Sequence, residues 1–264
     1  MTETSLLASI GPIHAGVGER RSTLETVFPL FDQDFRDAGL DLQVTTDFEH
    51  FNGVVRSVGK FVPNAFDLKL KPFRRGDAVG FIVRDEAGVV ATYAVRLYRF
   101  GVTTLADHLA TLSLFYANPA EQMARGERLI IEGEADRYAA TIDDSAVWVG
   151  AMWVRPDYRG RVSNLPTVLG VLGGSMVHAK WGPQTTVSIV ERGIVDHGVA
   201  KKRYRSQYVL DRIRWFRPHI PDRTEMFMIA KESAVTFEQI DELIGGATRL
   251  RVGELAADPA VASA

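Results

Sequence analysis

The chain of 264 residues contains no cysteine, which excludes a disulfide scaffold, a cysteine-ligated zinc or iron–sulfur site and thiol catalysis. It also lacks a signal-peptide pattern and any apolar run near the ~20 residues of a membrane-spanning helix. We therefore expect a cytoplasmic protein with no membrane partner. The charges are balanced, with 31 Lys+Arg against 33 Asp+Glu, which disfavours nucleic acid as a partner. The histidines include no closely spaced pair, so no metal site is expected.

Apolar residues make up 46% of the chain, enough for a sizeable buried core. The clearest local pattern is a predicted β-hairpin, in which β-rich runs at 78–84 and 89–98 are joined by a turn at 85–88. β-rich and helical patterns alternate along the rest of the chain. Their order predicts an α/β (α+β) fold with a mixed, mostly antiparallel central sheet flanked by helices.

Several further elements are predicted from capping signals and hydrophobic spacing. A helix is expected to begin at a Ser22 cap, and residues 127–140 are expected to be loop with at most a short strand. Residues 103–125 and 195–206 each show the spacing of one continuous helix. The second of these helices is amphipathic and basic.

An apolar run at 147–154 reads as a central strand buried on both faces. It leads into a short turn at Gly160, and a helix follows with Ser163 or Asn164 as its cap. The turn is flanked by three arginines, Arg155, Arg159 and Arg161. A helix N-terminus with guanidinium groups beside it suits a phosphate or pyrophosphate. A solvated basic turn is the alternative interpretation.

This turn resembles the acyl-CoA pyrophosphate loop of the GNAT acetyltransferase superfamily. The residues that carry the resemblance are Val154, Pro156, Arg159 and Gly160. Val162 and Asn164 stand where the family has its later small residues. A second stretch, with His197, Ala200 and Tyr204, is similar to the family's Asn-x-x-Ala-x-x-x-Tyr helix. The resemblance covers about residues 40–231.

The resemblance implies an acetyl-CoA-dependent N-acyltransferase acting on an amine of a small molecule or peptide. It implies that Tyr204 protonates the departing thiolate. The strand at 147–154 has no carboxylate to act as general base, so the candidates are Glu191, Glu132 and Glu134, or a water chain. The acyl-CoA contacts that the resemblance implies are at Met152, Val154, Arg159, Gly160, Arg161, Val162, Ser163, Asn164, His197 and Ala200. The backbone of Met152 and Val154 would pair with the pantetheine arm.

The resemblance also divides the chain. Residues 1–40 are expected to be an N-terminal extension with one helix, and residues 41–231 the GNAT-like domain, with a helical insert at about 101–146. Residues 232–264 are expected to form a C-terminal helix and a disordered tail.

Two other functions stay open. The chain could be a non-catalytic acyl-CoA-binding or regulatory protein of the same fold. It could also be an enzyme of the acyl-homoserine-lactone-synthase type, which draws on an acyl-carrier protein. The residues do not identify the acceptor or the acyl length, and they leave open whether the chain forms a homodimer.

Overall fold

The computed structural model describes residue 6 and residues 10–159, 162–218 and 225–252. Within these residues, ten strands are β1 Asp41–Thr45, β2 Ala78–Asp85, β3 Gly88–Arg99, β4 Arg128–Ile131, β5 Ser145–Val154, β6 Val162–Ser163, β7 Thr186–Glu191, β8 Tyr208–Phe216, β9 Glu225–Lys231 and β10 Arg251–Val252. The helices are α1 Arg21–Asp37, α2 Phe48–Ser57, α3 Leu105–Ala110, α4 Pro119–Ala124, α5 Gly133–Ala140, α6 Leu165–Trp181, α7 Arg192–Asp196, α8 Val199–Lys202 and α9 Ser233–Ile244. Short 3₁₀ turns lie at Ala15–Arg20, Asn64–Phe66, Arg75–Asp77 and Pro156–Tyr158.

Eight strands form one sheet in the order β1-β2-β3-β5-β7-β9-β8-β4. Neighbouring strands are antiparallel except β5 and β7, which run parallel. The predicted hairpin is present as β2 and β3. The predicted fold class, a mixed and mostly antiparallel sheet flanked by helices, is therefore confirmed.

One face of the sheet is covered by α1, α6 and α9, which pack against one another. Phe28 of α1, Leu169 of α6 and Ile240 of α9 are fully buried in this core. The helix in the expected N-terminal extension and the expected C-terminal helix thus share a core with the helix that follows β5. The expected disordered tail from residue 253 lies outside the described residues.

The opposite face is covered by α2, the turn at 64–66 and the helices α3 and α5. Its core is rich in aromatic side chains, and Phe115 stacks on Trp215 and meets Trp148 edge-on. This face also buries polar side chains. Arg96 and Glu127 are 3% and 1% exposed.

The single helix predicted over 103–125 is wrong. Thr104 and Asp107 form a capping box that starts α3, but the chain turns at Leu112, whose φ is +58°. Pro119 then begins α4. Leu112 is fully buried, so packing of the insert onto the sheet overrides the helical spacing.

The segment 127–140 contains the short strand β4, which the prediction allowed, but it also contains α5, so the expected loop is wrong there. β4 is held by pairing with β8, where Leu129 lies opposite Trp215. At the N-terminus, α1 begins at Arg21, and no side chain caps it. The chain enters α1 directly from a 3₁₀ turn, so Ser22 is not needed as a cap.

No helix in the described part of the chain is long and apolar enough to cross a bilayer.

Candidate active site

The two parallel strands β5 and β7 are paired only at their beginnings. Val147 lies opposite Thr186 and Trp148 opposite Val187, and no further register connects them. Burial changes at the same point, since Val149 on β5 and Ile189 on β7 are only half-buried. The facing edges of the two strands therefore open a gap that carries unpaired backbone groups.

A β-bulge marks the middle of β5, next to this gap. Ala151 has a left-handed φ of +52°, and the register with β3 shifts between Thr92 and Ala94. The fully buried Thr92 donates its hydroxyl hydrogen to the carbonyl of Ala151 at 2.8 Å. This bond fixes the bulge from the β3 side.

One hydrogen bond shows which way the N–H and C=O groups of β5 point beyond the bulge. The N–H of Arg155 donates to Val90 of β3 at 2.8 Å. Because main-chain groups alternate along a strand, those of Val154, and of Met152 two residues earlier, point away from β3 and toward the gap. Arg159 donates its Nε hydrogen to the Val154 carbonyl at 3.3 Å.

The start of the turn after β5 is anchored to the β2–β3 hairpin. Arg155 forms a two-pronged ion pair with Asp85 at 3.2 and 2.6 Å, and the Tyr158 hydroxyl donates to the same carboxylate at 2.8 Å. The hydrogen bond from Arg155 is the largest cause that lowers the pKa of Asp85, to about 2. Arg155 is thus a structural anchor, held away from any ligand role.

Gly160 and Arg161 lie outside the described residues. Past them, Val162 is buried and lies opposite Val252 in β10, while Ser163 lies opposite Arg251. The end of the turn is thus paired with a C-terminal segment of the same chain.

Asn164 precedes α6 with a left-handed φ of +68°, but its side chain does not cap the helix. Its amide donates instead to the carbonyl of Arg249 at 3.4 Å. Asn164 therefore occupies the predicted N-cap position, but its αL backbone directs the side chain outward to the C-terminal segment, so the expected capping hydrogen bond is absent. Pro166 in the first turn of α6 needs no capping partner.

The predicted helix over 195–206 is two short helices, α7 and α8. Gly198 separates them with a φ of +70°, a conformation that glycine adopts without strain. Tyr204 follows the end of α8, so it does not share a helix face with Ala200. Ala200 is buried in α8, and His197 is exposed at the end of α7, with Nδ1 2.7 Å from the Gly193 carbonyl.

Tyr204 is held by the residues around it. The Thr167 hydroxyl in the first turn of α6 donates to the carbonyl of Arg203 at 3.0 Å. On the other side, the Gln239 amide donates to the carbonyl of Arg205 at 3.2 Å, and Arg205 forms an ion pair with Glu242. Two helices therefore fix the backbone on both sides of Tyr204.

A charge on the Tyr204 phenol affects the pKa of Tyr93 of β3. Burial raises the pKa of Tyr204 above its usual value. Burial also raises the pKa of Tyr93, and the interaction with Tyr204 adds to that effect. The Tyr204 phenol therefore retains its proton at neutral pH.

The three carboxylates considered as bases are exposed. Glu191 ends β7 and precedes α7, at the open end of the gap. Glu132 forms an ion pair with Arg214 at 3.1 Å, and Glu134 lies 4.0 Å from Arg137. The structure places the backbone of Met152 and Val154 on the gap side of β5 and Glu191 at the end of β7, whereas Tyr204 lies between the backbone contacts made by α6 and α9.

The sequence interpretation missed Thr92, Tyr93 and Asp85. The first two lie within the β3 run, where the alternating pattern predicts strand and nothing more. Asp85 sits in the hairpin turn, where an acid is common for turn geometry. Their link to the gap depends on the β3–β5 register, which no local pattern contains.

No known protein-family model matches this chain, and no curated protein matches it. Solved structures do match it. NAA60 of Arabidopsis thaliana in complex with acetyl-CoA is 12% identical, with coverage of 73% of this chain and 98% of that one and a TM-score of 0.39. Spermidine N-acetyltransferase of Vibrio cholerae with CoA and spermine is 8% identical, with coverage of 75% and 98% and a TM-score of 0.37.

A polyamine N-acetyltransferase of Drosophila melanogaster is 16% identical, with coverage of 73% and 100% and a TM-score of 0.40. Two of these three proteins are N-acetyltransferases by name, and at these TM-scores the likeness carries no argument about the present chain. The mixed sheet of the present chain is the fold that the resemblance to the GNAT superfamily implied.

Proposed function

We propose that the protein is an N-acyltransferase that moves an acetyl or longer acyl group from acyl-CoA to an amine of a small molecule or peptide. The observation that carries this proposal is the gap between β5 and β7. Two parallel strands that begin paired and then present unpaired edges to each other offer donors and acceptors for an extended ligand.

The pantetheine arm of acyl-CoA has amide groups along a flexible chain, and it suits such an edge. In the proposed complex, the backbone of Met152 and Val154 pairs with that arm. Arg159 and the backbone from Val162 to Asn164 would face the diphosphate, together with Gly160 and Arg161. His197 and Ala200 would border the same ligand from α7 and α8.

The proposed reaction is direct attack. The neutral amine nitrogen adds to the thioester carbonyl, the carbon–sulfur bond breaks, and the thiolate takes the proton of the Tyr204 hydroxyl. Positioning of the two reactants beside the bulge supplies part of the rate enhancement. A proton leaves the attacking nitrogen, and Glu191 at the rim of the gap is the proposed acceptor.

The raised pKa of Tyr204 agrees with the role of an acid. The phenol keeps its proton until the pH exceeds that pKa, so the proposed donor is present at all pH values up to and beyond 10. Loss of activity from this group is expected only on the alkaline side.

The test follows free thiol release from acetyl-CoA with a panel of amines. We expect Tyr204→Phe to lower kcat by about 100-fold while the KM for acetyl-CoA changes little, because the hydroxyl acts on the leaving group. Tyr138→Phe is the matched control. Tyr138 is also half-buried, but its ring packs on Tyr208, 4.8 Å away between centroids, and it should keep wild-type kcat.

Equal rates for the two variants would contradict the role of Tyr204. Thermal stabilisation by CoA with no thiol release for any amine would instead identify the non-catalytic acyl-CoA-binding protein.

A further inference from the structure

Two cationic side chains meet on the aromatic face of the sheet without a carboxylate partner. Arg96 of β3 is 3% exposed, and Lys71 is half-buried on the segment before β2. Within the described part of the chain, neither side chain forms an ion pair. The nearby acids are engaged elsewhere, since Asp67 pairs with Arg56 and Asp77 with Arg99, each at 3.0 Å.

Aromatic rings and carbonyls hold these cations in place. The Arg96 guanidinium carbon lies 4.1 Å from the Phe73 ring centroid and 4.5 Å from that of Tyr98. Its Nη1 donates to the carbonyl of Ala65, while its buried Nε has no hydrogen-bond partner. Aromatic faces compensate only part of the cost of burying a cation.

Lys71 lies over the ring of Tyr98, which Arg96 also contacts. Its ammonium is 5.4 Å from the Tyr98 ring centroid and donates one of its three hydrogens to the carbonyl of Ser113. Burial is the main cause that lowers the pKa of Lys71, to about 8, and the charge of Arg96 lowers it further. The site thus holds two mutually repelling cations and donor hydrogens without partners.

We propose that Lys71 and Arg96 bind the anionic group, a carboxylate or a phosphate, of a small molecule. A guanidinium offers planar donors that match either group, and an ammonium adds a compact charge. Lys71, Phe73 and Ser113 are half-buried and therefore in reach of solvent, whereas Arg96 is almost fully buried.

The position of this anion site connects it with the gap, a connection that rests on the proposed function. Arg96 lies opposite Trp148 in the sheet, and Gly150 is two residues farther along β5, about 7 Å at the usual strand rise. Phe66 lies against Gly150, and its neighbour Ala65 accepts the hydrogen bond of Arg96. An amine acceptor that also carries an acid group would span this distance.

The first experiment measures binding without acyl-CoA. Succinate and inorganic phosphate are titrated in thermal-unfolding assays against sodium chloride of equal ionic strength. We expect at least one of the two anions to raise Tm by about 2–4 °C at tenfold its Kd. Lys71→Met should abolish the shift, whereas Lys69→Met, which removes an exposed lysine of the same segment, should keep it.

Arg96→Lys keeps the charge but removes the guanidinium fork, so it should reduce the Tm shift. This conservative substitution is chosen because larger changes at a buried position could prevent folding. No shift with either anion, or an equal shift in wild type and Lys71→Met, would overturn the proposal. These results do not depend on transferase activity, so failure of the anion site and failure of the proposed function are distinguishable.

The second experiment identifies the source of the anion. Acetyl transfer to 4-aminobutyrate is compared with transfer to butylamine. A loss confined to 4-aminobutyrate in Lys71→Met assigns the site to the acceptor substrate. An anion-induced Tm shift with unchanged transfer to both amines assigns it to a separate small-molecule effector.

Discussion

The two edges of β5 differ although they belong to one strand. Toward β3, the register runs from Ser145 opposite Arg99 to Val154 opposite Ala91, with one bulge. Toward β7, it ends at Trp148. The edge toward β3, here called the closed edge, is paired along its length and fixes the geometry of β5. The edge toward β7, the open edge, leaves backbone groups beyond Trp148 without a strand partner. Changes at the closed edge should first reduce stability, whereas changes at the gap should first reduce ligand binding and turnover.

The largest effect on the closed edge is expected from Gly173→Ala. A Cβ on Gly173 would lie 2.4 Å from Cε1 of Tyr93 and 3.3 Å from Val95, so α6 and β3 would have to move apart. We expect a loss of about 2–3 kcal/mol in the free energy of unfolding. Denaturant titration measures it.

Gly170→Ala is the matched control on the same helix. Nothing lies within 4 Å of its added Cβ, so it should gain about 0.5–1 kcal/mol from helix propensity. Similar free energies of unfolding for the two variants would show that α6 does not pack closely on β3 at Gly173.

A smaller loss is expected from Asp85→Asn, which breaks the two-pronged pair with Arg155. We expect about 1.5 kcal/mol at neutral pH, since both side chains are largely buried. Because the pKa of Asp85 is lowered from 3.8 to about 2, its contribution is present above pH 4 and is lost as the pH falls toward 2. Stability curves of variant and wild type should therefore converge over that range.

Asp157→Asn provides the comparison within the same cluster. Asp157 also bonds Arg155, at 2.8 Å, but its side chain is 58% exposed, so the cost should stay below about 0.5 kcal/mol. A larger effect at Asp157 than at Asp85 would contradict the anchoring role of the hairpin.

A loss smaller than that of Asp85→Asn is expected from Thr92→Val, which keeps the shape but removes the hydrogen bond to Ala151. We expect a loss of about 1 kcal/mol, measured by denaturant titration. Because the bulge borders the gap, the KM for acetyl-CoA should rise in the same variant. Thr111→Val, at an exposed helix end, is the control and should leave the free energy of unfolding and the KM for acetyl-CoA unchanged. An unchanged KM in Thr92→Val would show that the bulge does not contribute to the proposed acyl-CoA site.

Much of the sheet could be predicted from the sequence. The hairpin and the apolar strand β5 each show a local pattern that the structure confirms. The predictions failed where contacts with residues far away in the sequence determine the local structure. β4 exists because β8 pairs with it, and the helix expected over 103–125 is interrupted because Leu112 is buried in a left-handed turn.

For the candidate site, the sequence indicated Tyr204 and the β5 turn, because spacing and residue type are local properties. Only the tertiary structure decided that β5 and β7 separate after Trp148, and that Lys71 and Arg96 both lie against the Tyr98 ring. Hydrophobic periodicity records which residues are buried, whereas strand register and the packing of one element on another depend on contacts between residues far apart in the chain.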